Sequence, residues 1–111
     1  MDQKKRMLSG KLYKVEGKAL HDAHRKAKNL IDDYNALRFE EWDRQRPLLE
    51  ELLGSYGKRN MIVPPFHCDY GENIHIGDDF FANYNTIMLD VNTIRIGNRV
   101  MLGPRVSLLS A

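Results

Sequence analysis

One cysteine, Cys68, stands among 111 residues, so an internal disulfide framework is excluded. No apolar run approaches the length of a membrane span, and the N-terminus MDQKKRMLSG lacks the apolar core of a secretory signal. These absences point to a cytoplasmic protein with no membrane partner. Aromatics are scarce where positive charge is dense. Residues 1–28 carry nine Lys or Arg against three acids but only Tyr13 for stacking, while the whole chain has a net charge of +2. Such a segment could bind phosphates, but its charges belong to a helix with an apolar face. It reads as a solvated helix surface rather than a nucleic-acid site.

Two helical patterns occupy the first half. Leu20, Ala23, Ala27, Leu30, Ile31, Tyr34 and Leu37 recur at three- and four-residue spacing, which predicts a helix over 18–37. A second stripe uses Phe39, Trp42, Leu48, Leu49, Leu52, Leu53 and Tyr56. Pro47 inside it predicts either a kink or a helix beginning there, ended by Gly54 and Gly57. So small a helical pair is marginal alone, so its apolar face should dock on something else.

After Gly57 the composition changes. Asn60–Phe66, with Pro64 and Pro65 together, reads as an extended connector. From Ile96 an aliphatic residue recurs every six positions, at Ile96, Leu102 and Leu108, and Gly97 and Gly103 follow the first two. Ile76 with Gly77 is a related hexad twenty residues earlier. A second apolar side chain, Phe80, Val100 or Val106, lies four residues after each of Ile76, Ile96 and Leu102. Short strands with tight Gly-Asp, Gly-Asn and Gly-Pro corners at this period predict a stacked parallel β-helix over 72–110, with Ile76, Ile96, Leu102 and Leu108 pointing inward. Gly, Asn and Asp at the corners suit left-handed backbone angles. The periodicity also leaves room for an antiparallel meander.

The segment PPFHCDYGENIHIGDDFFANYNTIMLDVNTIRIGNRVMLGPRVSLLSA closely resembles the maltose and galactoside O-acetyltransferases of the hexapeptide-repeat acyltransferases. The preceding MLSGKLYKVEGKAL resembles their N-terminal helical region. The most specific blocks are CDYGENIHIG, FFANYNTIMLD and MLGPRVSLLSA. The resemblance implies an α+β chain: a helical region at 1–57, then a connector and the first coils of a left-handed parallel β-helix at 58–111. It further implies a homotrimer that moves acetyl from acetyl-coenzyme A to a sugar hydroxyl. The family's general base is a histidine, suited by a pKa near neutrality. The matching position falls two residues beyond Ala111, so the expectation is a truncated and inactive form with no catalytic residue of its own.

Three polar positions match the family's acceptor site. Asn83 corresponds to an asparagine beside the reacting hydroxyl and the acetyl group, where an amide can donate to one oxygen and accept from another. The competing reading is a corner asparagine serving the backbone. Asp69 takes a sugar-contacting position that is serine in the galactoside enzyme, and Asp90 lies in or next to another. Either carboxylate could instead be a solvated turn residue. Val15 replaces an aspartate that the galactoside enzyme uses on its sugar, which favours maltose or glucose as acceptor.

The remaining candidates are weaker. His21 and His24 lie among charges on the first helix, and His75 alternates with Ile74 and Ile76 and should face outward. His67, Cys68 and Asp69 are consecutive on an extended segment, so their side chains diverge and no metal is expected. Cys68 lacks a basic partner and reads as structural. Two rival functions are a non-catalytic β-helical assembly module and a basic nucleic-acid binder.

Overall fold

The computed structural model describes residues 2–14 and 17–110. Helix α1 (Gln3–Leu8) is opened by Asp2, whose carboxylate accepts from Lys5 N at 2.8 Å. Helix α2 (Lys18–Asn35) buries Leu20, Ala27, Leu30, Ile31 and Tyr34, the stripe that its sequence spacing predicts. A 3-10 turn (Phe39–Arg44) then leads into α3 (Gln45–Leu52). Pro47 falls in the first turn of α3, where an amide has no intrahelical acceptor, so the helix begins around the proline without a kink. The second apolar stripe does not extend back to Phe39 and Trp42, which are 93% and 68% exposed. The 3-10 winding, at about three residues per turn, takes them off the face that carries Leu49 and Leu52.

Among the described residues nine short strands follow. β1 (Ser55–Tyr56), β2 (Met61–Ile62) and β3 (Phe66–Cys68) make one coil. β4 (Ile74–Ile76), β5 (Phe81–Ala82) and β6 (Thr86–Leu89) make the next, and β7 (Ile94–Ile96), β8 (Met101–Leu102) and β9 (Ser107–Leu109) a third. Each strand of the first two coils pairs in parallel with its counterpart one coil on, giving the sheets β1-β4-β7, β2-β5-β8 and β3-β6-β9. The register is 20 residues throughout: Ser55 pairs with His75 and His75 with Arg95, just as Met61 pairs with Phe81 and Phe81 with Met101. The architecture is a three-sided parallel β-helix. Ile76, Ala82 and Met88 follow one another at hexad spacing, whereas the turn from β6 back to β7 carries two extra residues.

The inward columns are apolar. Ile62, Ala82 and Met88 are fully buried, Ile76 nearly so, and Ile96, Leu102 and Leu108 pack half-buried against the same core. The coil starts earlier than expected, because β1, β2 and β3 precede residue 72 and the stretch read as a connector, 60–66, lies within it. The hexad is masked there because the helical cap, not a preceding coil, packs against these residues. Asn60 occupies the place of Phe80 and Val100 in later coils, accepting from Phe80 N at 2.7 Å and donating to Gly77 O at 2.8 Å.

The corners also differ from expectation. The left-handed non-glycine residues are Arg59, Asp79 and Arg99 at one corner and Asn85 and Arg105 at another, each a coil apart; Gly71 is left-handed at the third corner, whereas Gly77, Gly97 and Gly103 are not. Gly57 and Gly77 serve close approach instead: a Cβ on Gly57 would sit 2.2 Å from Gly77 O and one on Gly77 2.4 Å from Asn98 Oδ1, whereas Gly97 and Gly103 have nothing within 4 Å.

The helices close one end of the coil. Leu30, Ile31, Tyr34, Leu49, Leu52 and Leu53 share one core with Ile62, Phe66, Ile74 and Phe80. The Tyr34 hydroxyl donates to Ile62 O, and the Asn35 amide clamps β3, donating to Phe66 O at 2.9 Å and accepting from Phe66 N at 2.8 Å. Docking on the coil gives the helical pair the partner it needs for stability.

Candidate functional site

The five-residue turn between β3 and β4, residues 69–73, carries Asp69. Its backbone reverses at Gly71, whose φ is +79° and where a Cβ would lie 2.6 Å from Leu52 O, so only glycine fits. Asp69 is half-buried, and the loss of solvent pushes its carboxyl up, while His24 and Lys28 of α2 pull it back down. The next residue, Tyr70, is buried with Met7 and Leu20, and its ring meets His24 edge-on at a centroid distance of 6.1 Å. Lys4 of α1 pairs with Glu72 at 2.9 Å, so all these charged groups from the cap face one corner.

Asp90 belongs to the same corner, but on its inner side. It is fully buried, with Oδ1 accepting from Asp69 N at 3.1 Å and Tyr70 N at 2.9 Å, and Oδ2 from Asn73 N at 3.3 Å. Asn73 returns a bond from Nδ2 to Asp90 O at 2.8 Å. Burial pushes this carboxyl up, opposed by the amides it accepts from. A group so enclosed has no face for a sugar. The direct acceptor contact expected of Asp90 is therefore replaced by a hold on the backbone of 69–73.

Asn83 lies at a different corner, between β5 and β6. Its Oδ1 accepts from Tyr84 N at 2.8 Å, and its carbonyl accepts from the Thr86 hydroxyl at 3.0 Å. The structure thus brings Asp69 and Asp90 together and leaves Asn83 at the far edge of the β3-β6-β9 sheet. β6, at about 3.3 Å per residue, puts roughly 13 Å between the two edges. Val15 lies outside the described residues.

None of the four histidines is set up as a base toward these groups. His21, His24 and His67 are exposed, and His75 faces outward on the β1-β4-β7 sheet with Nδ1 3.0 Å from the Ser55 hydroxyl. Cys68 is inside the coil, where burial pushes its thiol far up and out of reach as a nucleophile. Among the described residues, no three His, Cys, Asp or Glu side chains converge as metal ligands, and no helix is long and apolar enough to cross a membrane. Two shallow grooves of about 430 and 370 Å³ share Trp42, Gln45 and Met61, and the second reaches Tyr84 beside Asn83.

Residues 6–57 match the maltose acetyltransferase hexapeptide capping motif. The structure superposes on a maltose O-acetyltransferase from Clostridium difficile 630 with a TM-score of 0.94 and 41% identity, over 96% of this chain and 57% of that one. In sequence and fold the chain matches the maltose and galactoside O-acetyltransferases of the hexapeptide-repeat proteins. The galactoside O-acetyltransferase of Escherichia coli K12 is 32% identical over 97% of this chain and 53% of its own length. A hexapeptide-repeat acetyltransferase of Vibrio cholerae O1 biovar eltor, solved in complex with acetyl coenzyme A, matches with a TM-score of 0.85 and 33% identity over 96% of this chain and 57% of that one. The chain spans about half the length of the curated relatives it matches.

Sequence reasoning missed Tyr70, Asn73, His24 and Lys28 as neighbours of Asp69. The 20-residue period could have found the first two, since 70 stacks under 90, but the cap residues become neighbours only through tertiary packing.

Proposed function

We infer that the chain contributes the acceptor side of an acetyltransferase site that moves acetyl from acetyl-coenzyme A to a hydroxyl of maltose, glucose or a related sugar. The observation that carries this reading is the match, over nearly the whole chain, to solved acetyltransferases, one of them in complex with acetyl coenzyme A. Asp69 accepts from sugar hydroxyls, and its partial burial beside His24 and Lys28 suits a fixed polar contact. Asn83 orients the attacking hydroxyl and the acetyl carbonyl. The hydroxyl oxygen adds to the thioester carbon, coenzyme A leaves as the thiol, and a general base takes the hydroxyl proton. On this reading none of the four histidines is the base: His24 stands beside Asp69 rather than at Asn83, and His75 faces outward on another sheet.

The separation of Asp69 and Asn83 supports a shared site, with Asp69 of one copy facing Asn83 of the next around a cyclic homotrimer. On this reading the coil winds left-handed, and the enzyme works in the cytoplasm, where a lone buried thiol stays reduced. The exposed Met61 and Met101, on the outer face of the β2-β5-β8 sheet, favour a second reading as a non-catalytic assembly module.

Joining the chain to the complementary half of a solved relative and following thiol release with maltose, glucose and galactosides separates the two. Transfer is expected, with Asn83→Ala lowering kcat about 10²-fold and Asp69→Ala chiefly raising the acceptor KM. A folded, trimeric fusion that releases no thiol with any sugar would overturn the enzymatic reading.

A further inference from the structure

Two corners of this coil are built alike and held differently. The turn 69–73 closes on Asp90, and the turn 89–93, one coil on, closes on Ser110, which occupies the equivalent position twenty residues later. Ser110 serves its turn with a neutral hydroxyl that accepts from Asn92 N at 2.9 Å and lies 3.0 Å from Leu89 O. A hydroxyl therefore suffices to close such a turn. At 69–73 the chain instead buries a carboxylate completely, a choice that costs several kcal/mol in desolvation unless hydrogen bonds offset it, and the carboxylate gathers three amides where Ser110 gathers one. Hydrogen bonds to a charged acceptor are roughly twice as strong as neutral ones, and three anchored amides spread over residues 69–73 restrict the loop more than one does. What the restricted loop carries is the Asp69 side chain, aimed at the surface beside His24 and Lys28.

We propose that Asp90 is a positioning residue for the acceptor site: through the amides of Asp69, Tyr70 and Asn73 it fixes where the Asp69 carboxylate meets a sugar hydroxyl, without touching the sugar. This rests on the reading of Asp69 as an acceptor contact. It assigns to Asp90 a role in sugar affinity that a merely structural brace would lack, and it makes Ser110 an internal control for turn closure alone.

The test uses the whole chain, ¹⁵N-labelled, with maltose and glucose as probes. Maltose is expected to shift the Asp69, Tyr70 and Asn73 amides saturably. Asp90→Ser, which copies Ser110, should keep the resonances of the distant corner residues Asn85 and Arg105 and the thermal midpoint of the parent within a few degrees, yet weaken maltose binding about tenfold. Asp90→Asn, which retains one carbonyl acceptor, should recover part of that loss, and Asp69→Ala should weaken binding at least as much as Asp90→Ser. If Asp69→Ala weakens binding but Asp90→Ser binds as the parent does, positioning is refuted and the acceptor reading stands. If Asp69→Ala binds as the parent does, or neither sugar shifts the corner, the acceptor reading fails and the proposal with it. If Asp90→Ser does not fold, Asp90→Asn decides by the same comparison. If neither folds, Asp90 is a stability residue and the proposal is overturned.

Discussion

Gly57, Gly77 and Gly97 stack one above another, so a methyl group added to each tests coil contact at a constant local geometry. On Gly57 a Cβ would lie 2.2 Å from Gly77 O, 2.5 Å from Gly77 C and 2.4 Å from Asp78 Oδ1, which is the acceptor for Lys58 N at 2.8 Å. Backbone cannot swing aside, so the coils must separate locally. Overpacking of this kind costs about 1–3 kcal/mol, and losing the Lys58–Asp78 bond adds about 1. Against this, alanine restricts the unfolded chain and returns roughly 0.4–1 kcal/mol. The net expectation for Gly57→Ala is a loss of about 1–3.5 kcal/mol, or a fall in Tm of roughly 4–28 °C for a chain of this size. On Gly77 the closest atom is Asn98 Oδ1 at 2.4 Å, a side chain able to rotate, with Gly97 backbone at 3.1 Å. Gly77→Ala should therefore cost about half as much. On Gly97 a Cβ meets nothing within 4 Å, so Gly97→Ala should be neutral or slightly stabilising. Thermal and urea unfolding followed by circular dichroism would rank the three. Equal destabilisation at all three positions would refute close coil contact as the reason for glycine and return the argument to backbone conformation.

The Asn35 clamp makes two bonds to β3, so Asn35→Ala should leave the Phe66 N–H and C=O unpaired and cost about 1–3 kcal/mol, measured by urea unfolding. The Asp69 carboxyl is held above its ordinary value, so the folded state binds more protons than the unfolded one between that value and the raised one. Its contribution to stability therefore falls as pH rises through this window, and Asp69→Asn should flatten that part of the stability–pH curve. A parallel slope in parent and variant would count against burial as the cause.

The hexad at Ile96, Leu102 and Leu108 is legible because successive inward positions on three short strands meet the same requirement, a medium-sized apolar side chain, and a local requirement leaves a local pattern. The same holds for α2, whose buried stripe follows the helical period. The first coil is not legible in this way. Its inward positions face a helical cap as well as a coil, so Asn60 can stand in a column that later holds Phe80 and Val100, and Gly54 stands where later coils place Ile74 and Ile94. The corner glycines were visible, but the reason for Gly57 and Gly77 was not, since it lies in the approach of a neighbouring coil rather than in φ. Resemblance brought Asp69, Asn83 and Asp90 into view as one group of polar residues. Only the three-dimensional stacking separates their situations: Asn83 sits across a strand from the others, Asp69 reaches the surface beside His24 and Lys28 of the cap, and Asp90, twenty-one residues on, turns inward onto amides. Side-chain type and spacing along the chain determine which elements form. Which carboxylate meets solvent depends on contacts between residues far apart in the chain, and no short-range pattern records those.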